Sequence, residues 1–279
     1  MDALLANEPV VRLASFAGVL ALMAGLEAWF PRRHRGFRRW LRWPSNLGIV
    51  ALDALAARVL FPTAAVGAAL AAEAGGVGIL PWLGLPGPLA VAIAVVVLDL
   101  AIYLQHVLFH AVPALWRLHR MHHADLDFDV TTGLRFHPVE IILSMVLKLM
   151  VVVALGAPAL AVLLFEVLLN ATSIFNHANL RLPAWLDRAL RLVLVTPDMH
   201  RVHHSVVVRE TNSNFGFNLA IWDRLFGTYR ADPEAGHEAM RIGIEQFRDP
   251  RELRLDRMLT QPLRDDDGSY PLGRREHAS

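Results

Sequence analysis

The chain has 279 residues, 54% of them hydrophobic and only 19% charged, and its mean hydropathy is positive at +0.38. A soluble domain carries nearer a quarter charged residues, so disorder and an ordinary soluble enzyme are both excluded for most of the length. A formal net charge of +1 gives no case for nucleic-acid binding, and the lack of cysteine rules out disulfides, thiolate metal sites and a cysteine nucleophile. Thirteen histidines are the anomaly.

Residues 10–30 are apolar apart from Arg12 and Glu27, which is length enough for a membrane span. No basic region precedes them and no small-residue cleavage site follows, so the segment reads as a retained helix rather than a signal peptide. Arg32, Arg33, Arg35, Arg38, Arg39 and Arg42 then form a basic loop of the kind that stays cytoplasmic. A second span is expected over 47–72, interrupted by Asp53 and Arg58. A Gly/Pro-rich turn covers 73–88, and a third span covers 89–109. Residues 139–175 form another apolar stretch, split by Gly156 and Pro158. Whether it spans as a tight pair or re-enters, it begins and ends on one side, so His106 and His177 share a membrane face. From 231 onward the composition turns charged and Pro-rich, which reads as a cytoplasmic tail with a short helix. The expected fold class is all-α: a polytopic helical bundle with a cytoplasmic histidine-rich helical cap. Its regions are N-terminal membrane helices at 1–88, a catalytic region at 89–230 and a tail at 231–279.

The histidines are ordered. His106 and His110 make H-x-x-x-H; His119, His122 and His123 make H-x-x-H-H; His200, His203 and His204 make a second H-x-x-H-H. Positions three and four apart share a helix face, so each cluster is expected to present its imidazoles in one direction. Imidazole is the commonest neutral metal ligand. Eight nitrogens exceed what one ion takes, whereas two ions with four or five imidazoles each would use them. Ligand type alone leaves iron, copper, zinc and nickel open. H-E-x-x-H is absent, and so are Gly-rich phosphate and dinucleotide motifs. His34, His237 and His277 have no clustered partners and read as solvated surface residues. Asp99, Tyr103, His106 and His110 fall on one helical stripe. Asp99 is therefore either a carboxylate supporting the metal histidines, with Tyr103 beside it, or a structural partner of Arg58. Thr196, Pro197 and Asp198 read as the capped start of the helix bearing His200, with Asp198 serving the helix dipole. Lys148 and Glu166 are expected to pair or snorkel. Trp222 and Asp223 read equally as an anchoring element or a site wall.

The order of these boxes resembles the fatty acid hydroxylase/sterol desaturase superfamily over residues 99–229. R-F-H-P-V-E at 135–140, F-N-H-A-N at 175–179 and N-F-G-F-N-L-A-I-W-D-R-L-F-G-T at 214–228 add to the resemblance. It implies a membrane-embedded, O2-dependent non-haem enzyme with two iron ions that hydroxylates or desaturates a lipid. It also implies His106, His110, His119, His122, His123, His200, His203 and His204 as metal ligands, with His177 as a further one and His137 as the weakest match. Ser173 stands four residues before His177, where some members carry a second histidine. The substrate class stays open among fatty acyl, sterol or hopanoid-like and amino-lipids. The electrons would come from an external ferredoxin-type or cytochrome-type donor. Arg117, Arg120, Arg181, Arg188, Arg191, Arg201 and Arg209 flank the site and either dock that donor or only reflect positive-inside topology. The almost exclusive use of Arg over Lys, with Lys148 the one lysine, points to a bacterial source and hence an inner membrane, and counting crossings from the basic loop puts the histidines on the cytoplasmic side. A second reading, a membrane metal or haem carrier using the histidines as transfer ligands, is disfavoured because the clusters gather at one face.

Overall fold

A computed structural model describes residues 2–264 and 268–272, and within them the chain is helical with only isolated β-bridges. Nine helices matter for the site. They are α1 Glu8–Trp29, α2 Arg39–Leu60, α3 Ala64–Gly75, α4 Gly87–Ala111, α5 Pro113–His123, α6 Pro138–Leu155, α7 Ala159–Asn176, α8 Pro197–His203 and α9 Ile221–Leu225. Five stretches are long and apolar enough to cross a membrane: α1, the stretch Arg39–Leu83 holding α2 and α3, α4, α6 and α7. The protein is a multi-pass membrane protein.

Local chemistry sets the helix ends. Proline occupies the first turn of α1, α4, α5 and α6, where its missing N–H costs nothing. Helix α6 stops at Gly156, which is left-handed at φ 62°. Gly78 (φ 117°) lies directly against it, and a Cβ there would stand 2.2 Å from the Gly156 nitrogen. The residue pair lets two loops cross at the end of the bundle remote from the histidines. Inside the bundle, Ala65 and Ala69 of α3, Ala94 of α4 and Ala161 of α7 are fully buried. Small side chains let helix backbones approach closely where lipid offers no hydrophobic drive.

The cap is welded to the bundle by buried ion pairs. Arg42 donates to both carboxylate oxygens of Asp125 at 2.7 Å and to Asp129 at 2.6 Å, with neither partner exposed. Asn46 bonds Thr131, and Arg135 bonds Asn46. Glu27 accepts Val130 N, Asn179 N and the Arg39 guanidinium. Burial alone would raise the Asp125 carboxyl, but the Arg42 and Arg135 guanidiniums outweigh it and hold it down to about 2. The basic loop thus has a second role: Arg39 and Arg42 are structural ties, while Arg35 and Arg38 stay exposed.

The C-terminal segment does not trail away. Tyr270 stacks on Trp116, Leu272 N donates to the His110 carbonyl, and Gly243 N donates to the His204 carbonyl. It covers the back of the histidine cluster. His237, expected at the surface, is buried near Asp198 and Asp232, because this segment folds inward. His34 is exposed, and His277 lies outside the described residues.

Candidate metal centre

The structure gathers nine histidines at one end of the bundle in two groups. His106, His110, His119, His123 and His203 form one; His122, His177, His200 and His204 form the other. Within each, the ligand atoms lie within 4.8 Å of one another and every ring is buried. Each H-x-x-H-H box is split, which corrects the expectation of one common direction. The i, i+4 pair His119 and His123 joins the five-membered group, and His122 joins the other. In α8 the i, i+4 pair His200 and His204 joins the four-membered group, and His203 crosses to the first. At about 100° per residue the i+3 position lies about 60° to one side of position i and the i+4 position about 40° to the other, so one box serves two centres.

The hydrogen bonds fix which nitrogen faces inward. His106 Nδ1 lies 2.8 Å from the Phe215 carbonyl and His203 Nδ1 lies 2.7 Å from the Ser213 carbonyl. His119 Nδ1 lies 2.7 Å from Glu140 Oε1. Carbonyl and carboxylate oxygens only accept, so these Nδ1 atoms carry the proton and each Nε2 presents a lone pair. Yet His106 Nε2 lies 3.1 Å from both His119 Nε2 and His203 Nε2. Converging lone pairs cannot bond one another; a cation among them resolves the repulsion. In the second group His177 Nδ1 donates to the Ser173 carbonyl, and its Nε2 faces those of His122, His200 and His204 at 3.1–3.3 Å. The residues therefore fit two metal ions. Burial, reinforced by neighbouring rings, drives the imidazoles of His122, His123, His200, His203 and His204 well below their ordinary range, and burial takes His119 and His177 down to about 3. They stay neutral, the ligand form, at physiological pH.

His137 is not brought in. It caps α6, accepting from Val139 N, with Nε2 3.3 Å from the Leu259 carbonyl. Asp99 and Tyr103 hydrogen-bond the loop after α8 rather than a histidine. Asp99 lies seven residues below His106, about 10 Å along the helix, and accepts Leu219 N and Trp222 Nε1. Tyr103 bonds Thr228. Both hold the loop 214–229 whose Phe215 carbonyl supports His106. Asp223 assists by accepting Phe215 N and Gly216 N, so Trp222 and Asp223 are anchors. Arg58 bonds the Pro62 carbonyl and leaves Asp99 alone. Sequence reasoning gave Glu140 no role, although an acid in the first turn of an apolar span is itself a signal. Asn212, beside His110 Nδ1 at 3.1 Å, carried no such signal.

Thr196 caps α8 by accepting Met199 N, and Asp198 pairs with Arg32 and Arg201. Lys148 pairs with Glu166 at 2.6 Å. Of the flanking arginines, Arg117 and Arg120 clasp the carbonyls of 261–264, Arg201 is buried and Arg191 bonds Asp187. Arg181, Arg188 and Arg209 remain at the surface.

A cavity of about 590 Å³ runs from His106 and His119 down between α1, α2, α4, α6 and α7. Its wall is mostly apolar, including Phe16, Val50, Phe109, Leu134 and Leu169, and its far end holds Arg12, Lys148 and Glu166.

A multi-pass membrane bundle closed by paired polyhistidine groups over an apolar cavity is the class defined here. Residues 91–228 match the fatty acid hydroxylase family, and the chain belongs to the fatty acid hydroxylase superfamily. It is 32% identical over 148 residues to an ornithine lipid hydroxylase of Rhizobium tropici, covering 53% of this chain and 44% of that protein. It is 29% identical over 141 residues to the human alkylglycerol monooxygenase, covering 49% and 29%. It is 30% identical over 146 residues to a fatty acid hydroxylase of a Lecanicillium species, covering 48% and 40%. The chain thus spans less than half the length of these curated relatives. No solved structure matches it.

Proposed function

We propose that the protein is an O2-dependent lipid hydroxylase whose nine clustered histidines hold two non-haem iron ions. The observation that carries this reading is the convergence of unprotonated Nε2 atoms at the head of an apolar, chain-sized cavity. The relatives named as hydroxylases and monooxygenases support it. Iron bound there would supply the O2 reduction and C–H oxidation that no side chain of this protein can perform. The chain's own contribution is positioning. Glu140 and the carbonyls of Ser213 and Phe215 hold the Nδ1 protons of His119, His203 and His106, so their Nε2 atoms stay aimed inward. The cavity wall excludes bulk water and presents a lipid C–H to the five-histidine group. In the net reaction the C–H becomes C–OH, the second oxygen atom leaves as water, and two electrons and two protons are supplied from outside. An external ferredoxin-type or cytochrome-type protein is the donor, since the chain has no redox-cofactor motif. The histidines face the cytoplasm, beside the basic loop before α2.

The test is metal content of the purified protein with and without His203→Ala, followed by reaction with 18O2, reductant and donor. Two irons per chain, loss in the variant and 18O in a lipid product are expected. A fully iron-loaded protein that leaves lipids unlabelled would overturn the hydroxylase reading.

A further inference from the structure

One segment outside the five spans sits at their depth. Asp99 lies midway along the 25-residue α4, about 18 Å from either end. Its carboxylate accepts Leu219 N at 3.2 Å and Trp222 Nε1 at 2.8 Å. The turn at 218–220 and helix α9 therefore reach along α4 to the middle of a span. Phe226 stacks on Tyr103 of α4, and Thr172 of α7 donates to Asn218. Leu104 and Leu108, between Asp99 and the end of α4, are half exposed. The lipid-facing surface of α4 thus continues above the level at which this segment docks.

The strip 190–194 belongs to the same body. Leu194 bridges Leu219, Ala220 N donates to the Val193 carbonyl, and Val195 N donates to the Asn218 carbonyl. The outer face of this body is apolar: Leu192 is 71% exposed and Leu225 67%, and Val193, Ile221 and Phe226 are at least half exposed. Its backbone is satisfied from within. Leu192 N, Val193 N and Leu194 N donate to the carbonyls of Ala189 and Leu190, and Phe226 N donates to that of Trp222. Asp223 is buried on the N–H groups of Phe215 and Gly216, and the exposed Arg224 reaches back over the Tyr229 ring. Irregular backbone persists at membrane depth only when its polar groups are met inside the protein, and a contiguous apolar patch marks a contact surface. We propose that 190–194 and 219–226 form a re-entrant wedge, immersed among the acyl chains of the leaflet nearest the histidines. Its partner is the lipid of the bilayer itself. The same loop sets Phe217 in the cavity wall and the Phe215 carbonyl on His106, so the segment that aims His106 is one that the bilayer holds. The wedge goes beyond the hydroxylase reading and stands without it.

The chain has no cysteine, so single-cysteine variants of the metal-loaded full-length protein carry one label each. Leu192→Cys and Leu225→Cys are labelled with a nitrobenzoxadiazole fluorophore, beside Leu104→Cys as the lipid-facing reference and Arg209→Cys as the aqueous one. Metal content equal to the parent's shows that each variant is folded. Quenching is read in phosphatidylcholine vesicles, first by phosphatidylcholine bearing an acyl-chain nitroxide and then by iodide on both sides of the bilayer. The nitroxide lipid should quench Leu192→Cys and Leu225→Cys as strongly as Leu104→Cys and severalfold more than Arg209→Cys, with little quenching by iodide. Iodide quenching equal to that of Arg209→Cys would overturn the wedge and make the patch a water-facing surface. Resistance to both quenchers would overturn it as well, and would assign the patch to contact with a second copy or another protein.

Discussion

The two histidine groups are built from the same boxes but held to different standards. In the five-membered group, four rings are fixed through Nδ1: by Phe215, Asn212, Glu140 and Ser213. In the four-membered group only His177 is fixed, by the Ser173 carbonyl; Nδ1 of His122, His200 and His204 meets no protein acceptor. The first group also lines the cavity and the second does not. A pre-aimed set of ligands binds without the entropic cost of ordering its rings, and it stands where substrate arrives. In the proposed reading the first group is the reaction-side centre, and the second depends more on its ion for order.

Removing a ligand gives the largest effect. His106→Ala and His200→Ala should each lower iron from two per chain toward one, and each should cut turnover by more than the ~100-fold ceiling of a supporting residue. Metal analysis on the two variants checks the division. Loss of both ions from either single variant would show one cooperative cluster and break the comparison. A chelator titration sharpens it, since the four-histidine ion should leave first in a two-phase release. Next in size is Glu140→Gln, expected to cost about 10- to 100-fold in affinity or turnover at the five-histidine centre. The other centre should keep its ion in that variant. An unchanged chelator profile would remove Glu140 from any supporting role.

These differences trace to how far each interaction lies in sequence. The all-helical class, the boxes and most spans were legible because they rest on local periodicity and spacing, but the span expected over 47–72 is broken at 61–63 into α2 and α3. Thr196 as the cap of α8 was legible for the same reason. The allocation of His122 and His203 to opposite centres was not, since it depends on which helices face each box across the cap. Asp99 misled because its stripe with His106 is genuine, while its partner Trp222 stands 123 residues away. The Ser213 and Phe215 supports are backbone carbonyls, which leave no mark in residue identity. His237 and the Arg42–Asp125 pair were misread or missed because burial by a distant segment does not show in composition.

Gly133 offers a smaller, one-sided perturbation. A Cβ there would stand 2.7 Å from the Ser173 carbonyl oxygen and 2.8 Å from His177 Nδ1, the one hydrogen bond that orients the second group. Gly133→Ala should cost about 1–3 kcal/mol as overpacking does, and weaken the four-histidine ion while sparing the other. Equal weakening of both ions, read by the same chelator titration, would mean that the centres share more than the two helices that carry the split boxes.

What they do share is α5, which splits His122 from His119 and His123, and α8, which carries His200 for one centre and His203 for the other, with His204 at its end. Helix α8 is the shorter of the two. Its single N-cap bond comes from Thr196, whose hydroxyl accepts Met199 N and donates to Asp187 at 2.6 Å. Thr196→Ala removes both and should cost about 1 kcal/mol, the usual worth of a cap, lowering Tm by a few degrees. Because the helix start is loosened rather than any one ring, the two ions should weaken together and modestly, the opposite of Gly133→Ala. If instead only the four-histidine ion responds, then the Ser213 carbonyl alone holds His203 in place. The five-histidine centre would then be independent of the helix that delivers its fifth ligand.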